Sequence, residues 1–345
     1  MTKTNILSLV AGAAVVFGPP VASTVVADDV ATTMRAVVID QGGAGKVLWV
    51  RRVPVPRPNP GEVLIAVHAA GVAVWDATER LYPGNGAHFP VALGTDGAGI
   101  VAATGPAVHG LQVGDRVYGV ARGPSGFYAQ YVTTPAEDVS HIPQEVSIAE
   151  AGVLAASGLS ALQGIDDVLQ MKPGETLIVH GASGAVGTLA VQFAKLRGVR
   201  VLATVTDDAG AALVTRLGAD GVVNGKTGDI AAAARRFAPD GIDGVLGLAG
   251  GDAFERCIDA LRRDGRGRVA YLYGLMPIPM LRFGIRMSVY SFVAGGPEFE
   301  RLNKAVEAAH LKVPIAAKYS LADAGEAHER AQAGHLLGKI VLLVK

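Results

Sequence analysis

The sequence predicts an α/β protein in which a doubly wound parallel sheet is inserted into a β-rich, barrel-like domain that uses both chain ends. Three observations carry this. Short apolar runs punctuated by glycine and proline fill the chain from Arg35 to about residue 147. Strand and helix patterns then alternate as far as Gly274. The closing stretch AAKYSLADAGEAHERAQAGHLLGKIVLLVK returns to the first character and reads as loop, helix and strand.

The 345 residues suffice for two packed domains. Half of them are hydrophobic and 18% are charged, so a large buried core is expected. Lysine plus arginine (31) balances aspartate plus glutamate (31), so no net field favours nucleic acid or an anionic membrane. Cys257 is the single cysteine, which excludes an internal disulfide and any cysteine-rich zinc site. It reads as a small apolar filler on a helix face.

Residues 1–33 stand apart as a leader. One lysine in Met1–Asn5 precedes an uncharged apolar run, Ile6–Phe17, and small residues follow Gly18-Pro19-Pro20 up to Ala27. That order has the pattern of a secretory signal with cleavage after Ala27, and the run is short for a membrane span. The rival reading starts the folded domain at Met34 (MRAVVIDQGG), leaving a disordered leader and a cytoplasmic protein. Both readings stand.

From there RAVVID, VLWVRRV and EVLIAVHAAGV read as strands, split by the turn-forming PVPRPNPGE, and GAGIVAATG, GDRVYGV and FYAQYVTTP continue the series. In SIAEAGVLAASGLSALQGI the apolar residues take helical spacing, with Ser147 as N-cap and Glu150 three positions later as its capping-box partner. The alternation follows: strand ETLIVHG, helix AVGTLAVQFAKLRG, strand RVLATVT, helix AALVTRLGA, strand GVVN, helix IAAAARRFA, strand GVLGLAG, helix AFERCIDALRRDG, strand GRVAYLYG. The apolar stretch LMPIPMLRFGIRMSVYSFVAGG after the last strand reads as an interface, a pocket lid or buried core, and its Arg282 and Arg286 need partners in any case.

The most informative segment is the turn between ETLIVHG and its helix. Gly181, Gly184 and Gly187 lie there in a G-x-x-G-x-x-G spacing. Glycine permits a tight turn, lets backbone N–H groups approach a pyrophosphate and lets the helix pack close to the sheet, while the helix N-terminus supplies partial positive charge. A glycine-rich turn can also serve packing alone, but the βαβ setting favours dinucleotide binding.

Here a resemblance enters. LIVHGASGAVGTLAVQFAKLRGVRVLATV and RLGADGVVN, with VGDRVYGV, GFYAQYV, SGLSALQGI and the closing LADAGEAHERAQAGHLLGKIVL, resemble the zinc-free quinone oxidoreductase (zeta-crystallin-like) branch of the medium-chain dehydrogenase/reductase superfamily, from about Met34 to Lys345. The resemblance implies a Rossmann domain over residues 156–294 inserted in a GroES-like domain made of 34–155 with 295–345. It also implies a homodimer associating through the nucleotide domains.

Zinc-dependent members of that superfamily carry a cysteine after AAGV and a His-Glu pair after the glycine of LGTDGAG. This chain has Ala73 or Val74 there, and Thr95-Asp96, and it lacks the four-cysteine structural lobe. Asp96 alone cannot assemble a site that needs about three protein ligands. His68, His88, His109, His141 and His180 show no ligand spacing and read as surface or structural residues. No zinc is therefore expected. Without a Lewis acid, hydride addition to an electron-poor acceptor is the easier chemistry, and quinones and α,β-unsaturated carbonyls are such acceptors.

Residue by residue, the resemblance implies pyrophosphate contacts from Gly181, Ser183, Gly184, Ala185, Val186 and Gly187. It implies cofactor contacts from Ser160, Thr206, Leu248, Ala249, Leu272, Tyr273, Gly274, Gly338 and Lys339, although Ser160 also reads as a packing residue and Lys339 as an ion-paired one. Trp75, Asp76 and Thr78 fall where the family builds its substrate pocket, and Tyr82 is the candidate to donate a hydrogen bond or proton to the reduced oxygen. Ala73 and Thr78 depart from the usual asparagine and tyrosine. NADPH is the expected cofactor, with NADH as the alternative: Gly210 and Gly225 stand where NADPH-using relatives carry lysine and tyrosine, Asp207 and Asp208 would repel a phosphate, and Lys226 and Arg216 could reach one. Two further readings stay open, a reductase of a specialised enoyl thioester or carbonyl metabolite and a dinucleotide-binding protein with little catalysis.

Overall fold

The structure is a computed structural model describing residues 25–26, 30–43, 47–83, 89–121 and 125–344. Most of the leader, the expected cleavage point after Ala27 and His88 lie outside the described residues.

The barrel is built on β1 (Val25–Val26), β2 (Thr33–Ile39), β3 (Trp49–Pro54), β4 (Glu62–Val72), β5 (Val91–Ala92), β6 (Asp96–Thr104), β7 (Arg116–Val120), β8 (Tyr131–Pro135) and β9 (Val139–His141). Helix α1 (Val74–Leu81) follows β4 directly. Strand β4 is apolar without alternation because it lies mid-sheet with both faces covered. It pairs antiparallel with β6 and β8. Ahead of Met34, β1 already pairs with β6, and Val30 packs on the cluster of Leu64, Ala66, Ala102 and Ala103.

Where one helix is expected over SIAEAGVLAASGLSALQGI, the chain forms α2 (Ile148–Ala151), α3 (Ala155–Gln163) and a π-helical turn over Gly164–Val168. The expected cap is present: Ser147 Oγ accepts from Glu150 N (3.3 Å) and Glu150 Oε2 from Ser147 N (3.0 Å). The break follows from contact with β4, since a Cβ at Gly152 would lie 2.6 Å from that of Ala69.

The inserted domain runs β10 (Thr176–His180), α4 (Ala185–Leu196), β11 (Arg200–Val205), α5 (Asp208–Arg216), β12 (Gly221–Asn224), α6 (Ile230–Phe237), β13 (Gly244–Gly247), α7 (Asp252–Asp259), β14 (Arg268–Leu272) and β15 (Arg286–Tyr290). Among the described residues the sheet is all parallel, in the order β12-β11-β10-β13-β14-β15. Side chains alternate between its faces. Leu177, Val179, Val201 and Ala203 join Phe193 and Leu302 on one side, and Ile178, Leu202 and Val245 join Phe254 and Ile258 on the other. The strand order reverses between β10 and β13, which opens a crevice at their carboxyl ends.

The stretch after Gly274 thus ends in an edge strand, β15, rather than in core. Its loop leaves Met276, Ile278, Leu281 and Phe283 exposed, and Arg282 pairs with Glu255 and Asp259. Helix α8 (Gly296–Ala309) then packs on α3 and α4. The chain re-enters the barrel through β16 (Ile315–Ser320), α9 (Ala324–Gln332) and β17 (Lys339–Leu343). The segment read as a loop is strand β16, which pairs parallel with β17. No helix of the described residues is long and apolar enough to cross a membrane.

Candidate functional site

The glycine turn sits at the strand-order reversal. Gly181 takes φ +81°, a left-handed conformation that glycine adopts without strain. Gly187 is required by close packing: a Cβ there would meet Gly181 O at 2.4 Å and Ala182 Cα at 2.7 Å. Gly184 is the N-cap of α4 and provides no side-chain cap, so the first-turn amides of a twelve-residue helix are open to an anion. Ser183, Gly184 and Ala185 are partly exposed around that end, while Val186 and Gly187 are buried beneath it. These features fit a dinucleotide pyrophosphate.

Thr204, which the sequence reading missed, braces the turn from β11. Its Oγ1 lies 2.7 Å from His180 Nδ1 and accepts from Gly181 N (3.3 Å). Burial, followed by the nearby Arg256 charge, lowers His180 to about 4, so the imidazole is neutral. Cys257 lies 3.8 Å away, fully buried and with its thiol pushed up to about 12 by burial, as an inert filler requires.

Leu248 and Ala249 follow β13 and come next to Gly181, with Leu248 N donating to His180 O (3.1 Å). Leu272 ends β14 one strand further out, and Tyr273 and Gly274 follow it, with Tyr273 exposed. From the barrel, Gly338 reaches across: its N–H donates to Ser183 O (2.8 Å). The glycine turn is therefore stitched to the loop that leads into β17. Ser160 is buried in α3, and its hydroxyl donates to Ala156 O (2.7 Å).

One residue past Gly338 the site changes character. Lys339 is 2% exposed, and its Nζ donates to both carboxylate oxygens of Asp96 (2.7 and 2.8 Å). Asp96 also accepts from Ala156 N (3.1 Å), which pins the start of α3. The Trp75 ring centroid lies 5.2 Å from Nζ, and Trp75 Nε1 is buried with no hydrogen-bond partner among the described residues. Gly71 makes the pair possible, since a Cβ there would fall 2.4 Å from Asp96 Oδ1 and 2.8 Å from Lys339 Nζ. A glycine inside an otherwise apolar strand was the available signal of such an approach.

Asp76, expected to line the substrate pocket, is fully buried. Its carboxylate accepts from Ala73 N (2.8 Å), Thr95 N (3.0 Å) and Thr95 Oγ1 (2.7 Å), which fixes α1 to the start of β6. Burial raises it to about 6, against the lowering effect of Lys339. Behind it lie Tyr128, pushed well above the usual phenol range by burial, and His328, lowered to about 4 by burial and then by Arg80. His328 Nε2 lies 3.1 Å from Tyr128 Oη. Thr78 and Tyr82 lie on the exposed side of α1, Tyr82 78% exposed at its C-terminal end, apart from the buried cluster.

The donor set does not fit zinc. Lys339 occupies both oxygens of Asp96, Thr95 and Ala73 offer no ligand of the usual kind, and the described residues hold no group of three or more His, Cys, Asp or Glu able to hold a metal ion. A separate concavity of about 320 Å³ between the barrel and α8, lined by His109, His141, Asn303 and Lys304, involves none of the expected site residues.

At the far end of the crevice, Thr206 follows β11. Its Oγ1 lies 3.3 Å from Nδ1 of His335, a residue with no local sequence signal and 129 positions away. Lys226 Nζ lies 3.2 Å from Nε2 of the same ring. Arg216, the other cation considered for a phosphate, is on the last turn of α5 and away from this cluster.

Known proteins match along most of the chain. Residues 59–144 match the alcohol dehydrogenase GroES-like domain, and residues 217–342 match the family described as zinc-binding dehydrogenase. A "Probable quinone oxidoreductase" of Schizosaccharomyces pombe is 30% identical over 324 residues, covering 89% of this chain and 96% of its own. A 2-haloacrylate reductase of a Burkholderia species is 28% identical, covering 90% and 98%. A mycobacterial protein solved in complex with NADPH superposes with a TM-score of 0.80 at 30% identity, covering 90% of this chain and all of the other.

Proposed function

The chain belongs to the quinone oxidoreductase branch of the medium-chain dehydrogenase/reductase superfamily, and from that premise we propose that it is a zinc-independent, NADPH-dependent reductase of quinones or α,β-unsaturated carbonyls. The observation that carries the reading is the junction at Gly338-Lys339. There the residue bonded to the uncapped glycine turn is followed directly by a buried ammonium paired with the carboxylate that a metal would need. The NADPH-bound mycobacterial relative supports the cofactor, and the haloacrylate reductase supports activated alkenes as acceptors beside quinones.

NADPH, when bound, would supply the hydride that the acceptor takes up together with a proton. The first-turn amides of α4 would hold its pyrophosphate. Trp75 and the strand ends at Leu248 and Leu272 form apolar walls that exclude water from the acceptor. Tyr82 is the proposed hydrogen-bond or proton donor to the oxygen that gains charge. The exposed apolar loop after β14 and the free edge of β15 suit self-association through the nucleotide domains, so a homodimer is proposed. A reductase draws on reduced nicotinamide, which supports a cytoplasmic place of action.

The test is oxidation of NADPH and of NADH with 1,4-benzoquinone, 9,10-phenanthrenequinone and an enone, each in the presence of a chelator. Turnover with NADPH that survives the chelator is expected. Tight nucleotide binding without turnover on any acceptor would replace catalysis with a binding role.

A further inference from the structure

The glycine turn and the buried charge cluster belong to different domains, and the chain crosses between those domains twice. The first crossing is α3, and the second is the run through α8 from the end of β15 to the start of β16. Helices α3, α4 and α8 pack on one another there, with Leu302 of α8 against Gly158 of α3.

Two buried glutamines grip the second crossing, one on each side of α8. Gln163, the last residue of α3, donates through Nε2 to Val293 O (2.7 Å) and accepts at Oε1 from Val293 N (2.9 Å). Gln192 of α4 holds Lys312 in the same way: Nε2 donates to Lys312 O (2.8 Å), and Oε1 accepts from Lys312 N (2.8 Å). Each side-chain amide satisfies both backbone groups of one residue, as a neighbouring strand would, and does so away from water, where such bonds are strong.

The grip at Lys312 is passed on without slack. Two residues further, Pro314 O accepts from Lys339 N (3.1 Å), and Gly338 N donates to Ser183 O (2.8 Å). Gly338 takes φ +103°, and a Cβ there would fall 2.1 Å from Pro314 O, so the two backbones are in direct contact. A closed ring results. It runs from Ser183 at the N-terminal end of α4 to Gln192, about two turns into that helix, then through Lys312, Pro314 and Gly338-Lys339 back to Ser183. At the other grip, α3 begins where Ala156 N donates to Asp96 (3.1 Å), so Gln163 ties the same buried charge cluster to the exit from the nucleotide sheet.

We propose that Gln192 and Gln163 are positioning residues for hydride transfer, which act by fixing the barrel wall at Asp96 and Lys339 against the helix that holds the nucleotide. The proposal rests on the reductase reading above. Hydride transfer needs reacting atoms about 3–3.5 Å apart, and a misplacement of about 1 Å costs up to about a hundredfold in rate. The donor rides on α4 and its sheet and the acceptor on the barrel. The two glutamines govern the distance between them without being part of the glycine turn or of the buried charge cluster. Nucleotide affinity, set by the first-turn amides of α4, is a local property and does not depend on them.

The variants Gln192→Met and Gln163→Met keep the side-chain length and remove both bonds of each clamp. In the full chain, single-turnover oxidation of bound NADPH by 9,10-phenanthrenequinone gives a rate constant and an amplitude, and 4R- and 4S-deuterated NADPH show that the observed phase is hydride transfer. Each variant should lose about tenfold or more in the rate constant, while the NADPH dissociation constant stays within about twofold. A role confined to fold stability lowers the amplitude and the thermal midpoint but leaves the rate constant unchanged, and that result overturns the proposal. Gln192→Glu, which keeps the acceptor for Lys312 N and loses the donor, reads the same split if a Met variant does not fold. Rate constant and nucleotide affinity falling together would place the clamps in the nucleotide site and also overturn the positioning role, with the reductase reading intact. A wild type that binds NADPH and reduces no acceptor removes the reductase reading and this inference with it.

Discussion

The two walls of the cleft are made of opposite materials. On the Rossmann side, residues 181–187 present backbone amides and contain no charged side chain; what the turn needs is the absence of atoms, at Gly187 above all. On the barrel side, Asp76, Asp96 and Lys339 are packed without solvent, and what that wall needs is the presence of every partner. The difference teaches where each wall is fragile. A backbone anion site tolerates change wherever there is room, whereas a buried charge cluster fails when one member is removed, because the desolvated partner cannot return to water.

Lys339→Met gives the largest contrast. It removes the ammonium beside the buried Asp96 and Asp76 and should cost about 3–5 kcal/mol in urea unfolding, with the Asp76 carboxyl driven further up. A loss below about 1 kcal/mol would mean that the cluster is hydrated and the comparison wrong.

Next comes the pH dependence of the same wall. Asp76 binds its proton more tightly folded (about 6) than unfolded (3.8), so its contribution to stability is complete below about pH 4 and is lost as the pH rises through 6. The stability of the wild type minus that of Asp76→Asn should fall by about 3 kcal/mol between pH 4 and 7. His180 and His328, both lowered to about 4, act in the other direction: their contribution is complete above about pH 6.5 and is lost as the pH falls towards 4. Being common to both proteins, that acid-side loss cancels in the difference. A flat difference would refute the burial assigned to Asp76.

The Rossmann wall should split by available space. Gly187→Ala drives a Cβ into the backbone of the turn and should cost about 1–3 kcal/mol together with most of the nucleotide affinity. Gly184→Ala meets Gly181 O only at 3.5 Å and should bind nucleotide nearly as well as the wild type. Equal losses at the two positions would show that the turn acts through flexibility rather than close approach.

The smallest effect on stability is expected at Tyr82. Because the side chain is exposed, Tyr82→Phe should stay within about 0.5 kcal/mol of the wild type in thermal melts. If the hydroxyl serves the reduced oxygen, kcat falls by about a hundredfold while nucleotide affinity holds. Unchanged kcat assigns the proton to water.

Much of this was legible in the chain itself. The alternation from ETLIVHG onward gave β10 to β14 and their helices, because each element satisfies its own backbone and shows its apolar period locally. The Ser147–Glu150 cap and the glycine turn were legible for the same reason, as both act within a few residues. The split of α2 from α3 was not, because it depends on how closely Gly152 approaches Ala69 of β4. Strand β16 was hidden because it owes its conformation to β17 beside it, and strand pairing is a relation between segments.

The sequence by itself determined the domain types, the glycine turn and the lack of zinc ligands at the expected places, since these depend on residue identity at short spacing. Only the tertiary structure decided that Lys339 is the buried partner of Asp96, 243 positions away, that Asp76 faces inward, and that His335 stands beside Thr206. A charge carries no local mark of its partner. Burial and pairing are set by where the folded chain brings distant segments together, and here that is the crossing of the last strand, β17, beneath the phosphate turn.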